Sequence, residues 1–304
     1  MRVVAINAHE HAMTQSDTAT PTRATSITPR TIHVAHSPDS DDAFMFYALA
    51  EGKIDTEGLT YVHELQDIES LNQRALRGEL EVTAVSIHAY AYLTDRYALL
   101  PHGGSIGDRY GPRLVATRPY TRAEVRGARI AIPGPLTSAY LALRLYEPEF
   151  EAVFTPFDQI EAAVLSGTVD LGLLIHEGQL TFGDNGLHLV ADMGEWWYGE
   201  TGLPLPLGGN VVRKDLGADL VRVVSRHLRA SIAYGLDHRA SALAHAMQYA
   251  RGLDSAMADT FIGMYVNEWT LDYGERGRAA VRLFLQRGVD AGLITQAVEV
   301  EFAD

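Results

Sequence analysis

Between residues 31 and 87 the chain alternates short strand-like runs with helical periodicity, and the alternation recurs further on. Residues 31–36 read as a strand that alternates and then enters the loop Ser37-Pro38-Asp39-Ser40-Asp41-Asp42. An apolar helix through Phe44, Phe46 and Leu49 follows and closes near Gly52. Residues 60–65 form a second strand. Asp67 then caps a helix with Ile68, Leu71, Ala75 and Leu76 on one face, ending at Gly78. Residues 82–87 are a third strand. This β-α-β-α-β order is the grammar of a parallel sheet with right-handed crossovers, so the fold class is α/β.

The middle of the chain repeats it. Strands are expected at 114–117, 129–132, from 153 and at 170–175, with helices at 139–145 and from a cap at Asp158 to Gly167. Residues 187–190 and 207–212 read as returning strands. From Asp215 onward the pattern is helical, over 215–237, 240–251, 255–265 and 275–291, punctuated by glycines and Asp254. Two α/β units and a helical tail predict two lobes with a ligand cleft between them. The expected division is 31–117 with 212–304 as the first lobe and 118–211 as the second. Thr117-Arg118-Pro119 and Gly208-Gly209 are the expected hinges. Residues 8–30 lack periodicity, and residues 1–30 are expected to be a disordered extension.

Composition narrows the function classes. At 47 % apolar and 21 % charged residues, the chain can fill a large core. Its 25 Lys and Arg against 39 Asp and Glu give a net charge of −14, which argues against nucleic acid or an anionic membrane as partner. With no cysteine, thiolate catalysis and cysteine-ligated metal sites are excluded. The apolar run near the start, residues 3–6, is short for a secretory signal, and the expected compartment is the cytoplasm. The tail helices offer surfaces for a homodimer.

The segment Asp170-Leu171-Gly172-Leu173-Leu174-Ile175-His176-Glu177 reads as a fully buried strand delivering a histidine and a carboxylate to its carboxyl end. Ligands of open α/β sheets bind there, and histidine is readily poised as a general base. His176-Glu177 does not begin a His-Glu-x-x-His zinc signature, because position 180 is Leu. The loop 37–42 suits an anion at a helix N-terminus or a plain helix cap, and three aspartates there would repel an anion unless they face away. Thr137 and Ser138, after Pro133-Gly134-Pro135, allow the same two readings. Gly103-Gly104-Ser105-Ile106-Gly107 lacks the lysine of a phosphate loop and reads as a flexible loop. Trp196-Trp197-Tyr198 reads as packing or as a stacking surface for a planar ligand. His238 and His245 read as solvated.

Further segments form an ordered series: Asp67-Ile68-Glu69-Ser70-Leu71-Asn72, Gly111-Pro112, Pro133-Gly134-Pro135-Leu136-Thr137-Ser138-Ala139, Ile175-His176-Glu177-Gly178 and Gly202-Leu203-Pro204-Leu205-Pro206-Leu207-Gly208-Gly209. Tyr265-Val266-Asn267-Glu268 and Gly274-Glu275-Arg276-Gly277 complete it. The series resembles the 1,4-dihydroxy-6-naphthoate synthase family of the futalosine route to menaquinone, over nearly all of residues 31–295. The resemblance implies a type II periplasmic-binding-protein-like fold and a lyase acting on cyclic dehypoxanthine futalosine without metal or organic cofactor. It implies that His176 is the catalytic base. It also implies that Thr137, Ser138 and Ser86 hold a small carboxylate substrate, and Ser37 and Glu177 are further candidates for it. The first loop of that family usually reads Ser-Pro-Cys-Pro-Asn-Asp-Thr-Phe, whereas Asp39, Ser40, Asp41 and Ala43 stand here. Ala84 replaces a lysine, and Gln179-Leu180 replace Arg-Phe. Chorismate dehydratase of the same pathway and a non-catalytic solute-binding protein for a small carboxylate are the alternatives.

Overall fold

The computed structural model describes residues 30–304, so the expected extension of residues 1–30 lies, Arg30 apart, outside the described residues. The first unit is β1 (Arg30–His36), α1 (Ser40–Ala50), β2 (Leu59–Leu65), α2 (Ile68–Leu76), β3 (Val82–Ser86), α3 (Ile87–Tyr90), β4 (Tyr97–Leu99) and β5 (Ser105–Gly107). The second is β6 (Arg113–Ala116), α4 (Arg122–Val125), β7 (Arg129–Ile132), α5 (Ser138–Tyr146), β8 (Glu151–Phe154), α6 (Ile160–Leu165), β9 (Leu171–Leu174), α7 (Gly178–Thr181), β10 (His188–Asp192) and α8 (Met193–Thr201). The chain then returns through β11 (Leu205–Arg213). It ends in α9 (Ala218–Asp237), α10 (Arg239–Ala246), α11 (Ser255–Tyr265), α12 (Glu268–Leu271) and α13 (Gly274–Asp290). Among the described residues no helix is long and apolar enough to cross a membrane.

The strands form two sheets with one plan. The first has the order β2-β1-β3-β11-β4, with β5 also pairing β11; the second, read from its far edge, is β8-β7-β9-β6-β10. β1 sits in parallel between β2 and β3, and β7 in parallel between β8 and β9; a strand from a lobe crossing, β11 in the first sheet and β6 in the second, adds antiparallel beside β3 and β9. β3 and β9 are buried at every residue, as strands with both faces covered must be.

Pairing moves the lobe boundaries from their expected places. Arg113–Ala116 pairs with Leu171–Leu174, so the chain enters the second lobe before β6 and Thr117-Arg118-Pro119 lies inside that lobe. Gly208 and Gly209 pair with Ser86 and Val85 in the middle of β11, within the first sheet. Apolar pattern marks a segment as a strand but leaves open which sheet accepts it. Other expectations shift for local reasons. Ser105–Gly107 is a strand rather than a loop, because β11 supplies a pairing edge. Asp158 lies within a short 3-10 turn, and α6 starts after it. The first tail helix starts at Ala218, after a 3-10 turn over residues 214–216.

Helix α1 is apolar nearly all round because it is enclosed nearly all round, buried from Ala43 through Leu49. Ser231 of α9 donates its hydroxyl to the Met45 carbonyl at 2.8 Å and accepts the Leu49 amide at 3.3 Å. The largest apolar cluster joins both sheets, taking Val85 and Val211 from the first, Ile130 and Leu171 from the second, and Phe284 and Leu285 from α13. Trp197 belongs to this cluster, edge-on to Phe284 and donating to the Pro204 carbonyl at 3.1 Å, so packing accounts for it.

The crossings between the lobes, residues 108–112 and 193–204, touch backbone to backbone. A Cβ on Gly194 would lie 1.9 Å from the Tyr110 carbonyl oxygen, and one on Gly107 would lie equally close. Gly194→Ala is therefore expected to cost about 2 kcal/mol or more, as overpacking against main chain does. Gly199→Ala, on the same helix with nothing within 4 Å, should be neutral or slightly stabilising. Urea unfolding of the two variants checks this, and equal midpoints would refute it.

Candidate active site

The carboxyl ends of β1 and β3 face those of β7 and β9 across a cleft lined from both lobes. His176 lines the cleft from the second lobe, and Asp39, Asp41 and Asp42 line it from the loop entering α1. Across the cleft, His176 Nδ1 lies 3.0 Å from Asp39 Oδ2. Arg251, from the tail beyond α10, places a guanidinium nitrogen 2.5 Å from Asp39 Oδ1 and another 3.6 Å from Glu177 Oε2. The same guanidinium stacks on Phe157, whose ring meets the His176 ring edge-on at 4.2 Å. His176 Nε2 is buried and has no protein partner.

The acidic loop is arranged so that its charges do not add up. Burial pushes the Asp39 carboxyl upward, but His176 and Arg251 outweigh it and hold the group at about 2. Burial, together with Asp42, Asp39 and Glu177, pushes Asp41 well above the usual carboxylate range. Burial and Asp39 raise Asp42 to about 6, although its Oδ2 accepts the Ser37 amide at 2.8 Å. The sequence reading had three aspartates repelling an anion unless they faced away. All three line the cleft; Asp39 is paired with Arg251, and burial with the neighbouring carboxylates raises Asp41 and Asp42, which favours their neutral forms.

Most hydroxyls of the cleft are already engaged within the protein. Thr137 caps α5, accepting the Tyr140 amide and donating to the Gly134 carbonyl. Ser138 donates to the Leu207 carbonyl at 2.5 Å and accepts the His88 amide at 3.1 Å. Ser37 donates to Asp39 Oδ2 at 2.7 Å. Ser86 accepts from the Asn72 side chain at 3.2 Å, which leaves its own proton to give. Asp39, His176 and Glu177 can each offer a ligand atom within 4.8 Å of the others, a spacing that would suit a cation, but Arg251 already faces both carboxylates.

A family model described as menaquinone biosynthesis matches residues 32–290. The chain belongs to this menaquinone-biosynthesis family. It is 42 % identical over 270 residues to a 1,4-dihydroxy-6-naphthoate synthase of Streptomyces coelicolor, covering 87 % of this chain and 95 % of that protein. It is 41 % identical over 256 residues to the enzyme of that name from Thermus thermophilus, covering 84 % and 93 %. A crystal structure of an Archaeoglobus fulgidus protein superposes with a TM-score of 0.84 at 47 % identity, covering 86 % of this chain and 98 % of that one. The alkanesulfonate-binding protein of Xanthomonas axonopodis pv. citri superposes at 0.67 with 13 % identity, covering 90 % and 97 %. That second likeness fixes the fold as periplasmic-binding-protein-like. The chain is an enzyme of menaquinone biosynthesis.

For this family member the structure gathers His176, Ser37, Ser86, Thr137 and Ser138 around the cleft, while Glu177 is not among the lining residues. Glu177 follows His176 by one residue and turns toward Arg251. Sequence reasoning missed Arg251 and Phe157, whose local patterns carry no signal, and took Asp39 as one of three loop aspartates and a departure from the family's first loop, not as a partner of His176. It also missed that Gln179, buried, accepts the Tyr265 hydroxyl at 2.9 Å and so joins α11 to the second lobe. His245, expected to be solvated, packs on Tyr47 and lies 3.4 Å from Glu51.

Behind Ser37 lies a buried histidine pair. His36 Nδ1 donates to the Ser37 carbonyl at 3.0 Å, so its Nε2 accepts from His63 Nδ1 at 3.2 Å, and both rings are neutral. Burial lowers His36 to about 3 and His63 to about 4. Both values lie below that of an unfolded histidine, so the unfolded chain binds more protons and stability falls as pH drops below about 6.5. Asp41 and Asp42 act in the opposite sense, so the comparison must be made with a variant. Between pH 6.5 and 5, wild type should lose about 1.5 kcal/mol more than His63→Gln. Equal losses in urea unfolding at the two pH values would refute this.

Proposed function

We propose that this enzyme is a carbon–carbon lyase that converts cyclic dehypoxanthine futalosine to 1,4-dihydroxy-6-naphthoate in the cytoplasm. The observation that carries the reading is His176, whose ring lines the cleft and whose Nε2 is buried without a protein partner. The two relatives named for this synthase activity support it, because they match the chain almost end to end.

In this reading His176 Nε2 takes a proton from the carbon next to a carbonyl of the bound substrate. The ring then fragments and aromatises, and a small sugar-derived piece leaves. The substrate carboxylate sits at the start of α5, where the free amides of the first turn and the helix dipole favour an anion. Ser86 gives its spare hydroxyl proton to a substrate oxygen. Contact between the lobes excludes water from the reactive intermediate.

Incubation with cyclic dehypoxanthine futalosine, followed by mass spectrometry for 1,4-dihydroxy-6-naphthoate, tests the reading. Product should form with wild type and fall at least about 10³-fold in His176→Ala, whose thermal shift on adding substrate should persist. Turnover retained in His176→Ala would remove the base assignment. Binding by wild type without product would leave a solute-binding module.

A further inference from the structure

A histidine acts as a base through one nitrogen only if the other nitrogen holds the ring's proton. His176 has one nitrogen at each kind of position. Nε2 is buried and unpartnered, and Nδ1 faces Asp39 Oδ2 at 3.0 Å. Resting on the reading of His176 as the base, we propose that Asp39 is its positioning residue, reaching across the cleft from the opposite lobe to hold the proton on Nδ1 and leave the Nε2 lone pair to the substrate.

Three observations support this over a plain ion pair. Asp39 is itself held in place, since Ser37 donates to its Oδ2 and Arg251 faces its Oδ1. Arg251 adopts a left-handed φ of +46°, uncommon for a residue with a side chain, and from there it reaches Asp39, Glu177 and Phe157 at once. Phe157 packs edge-on against the imidazole and limits its rotation. The charged groups around His176 are Asp39 and Asp42 from the α1 loop, Glu177 beside it in sequence, and Arg251 from the tail. Asp39 alone among them contacts the ring nitrogen. An orienting carboxylate of this kind fixes a tautomer and stabilises the imidazolium once the proton has moved, without taking the proton itself.

The tautomer can be read without substrate. In ¹⁵N-labelled protein at alkaline pH, the His176 ring signals, assigned by their loss in His176→Gln, should report a proton on Nδ1. Asp39→Asn should shift the population toward the Nε2-protonated form. A wild-type ring protonated on Nε2, or a tautomer unchanged in Asp39→Asn, overturns the proposal. With cyclic dehypoxanthine futalosine as probe, Asp39→Asn should lower kcat about 10²- to 10³-fold with KM within about threefold. The acidic limb of its kcat/KM profile should move to lower pH, because the imidazolium loses a neighbouring negative charge. Asp39→Glu should recover part of kcat. A loss of melting temperature with kcat and the acidic limb unchanged would make Asp39 a structural tie between the lobes and overturn the proposal. If Asp39→Asn does not fold, the wild-type tautomer still decides. If wild type leaves the probe unconverted, the function reading fails while the tautomer measurement stands.

Discussion

A carboxylate buried at residue 39 has to be compensated, and its compensation ties three distant parts of the chain together. The α1 loop supplies Asp39, the end of β9 supplies His176, and the tail supplies Arg251. Stripping Arg251 away would leave a charge with little water to solvate it, a far larger penalty than the loss of a surface pair. The cleft geometry therefore depends on all three segments arriving together. The tail, which adds no strand to either sheet, is as much a part of the site as the strand ends are.

Much of the architecture could be read from the chain because parallel strands and amphipathic helices have distinct periods. The runs at 82–87 and 170–175 carry few polar residues since both faces of those strands are covered, and Asp67 and Asp254 cap helices as their positions suggest. The limits of legibility are equally physical. Whether β6 joins the first sheet or the second is decided by pairing partners some sixty residues away, as Leu114 with Leu173 illustrates. His176 could be found because its strand delivers it to a sheet end. Arg251 could not, because its role comes from tertiary placement of a short connection between helices.

The departures in the first loop read differently once the structure is in view. Taken singly, Asp39, Asp41 and Asp42 load the cleft with like charge. Taken together, one is paired with Arg251, one is pushed well above the usual carboxylate range by burial and its neighbours, and one is tied to the Ser37 amide. Similarly, the glutamine that stands in place of a positive side chain at 179 is spent on Tyr265. The pairing at Asp39 and the shifts at Asp41 and Asp42 work against a build-up of like charge in the cleft.

The inward commitments of Thr137 and Ser138 have a consequence for how such a site changes over time. Their hydroxyls hold the turn into α5 and its seam with β11, and what remains for an incoming anion is main chain. Main-chain recognition is invisible to side-chain replacement: a scan through this turn would register loss of shape and stability while the amides stayed where they were. One small capping residue could stand in for another there while the amides of the turn stayed available. Only replacing an amide by an ester, by chemical synthesis, would expose how much of the affinity the backbone carries.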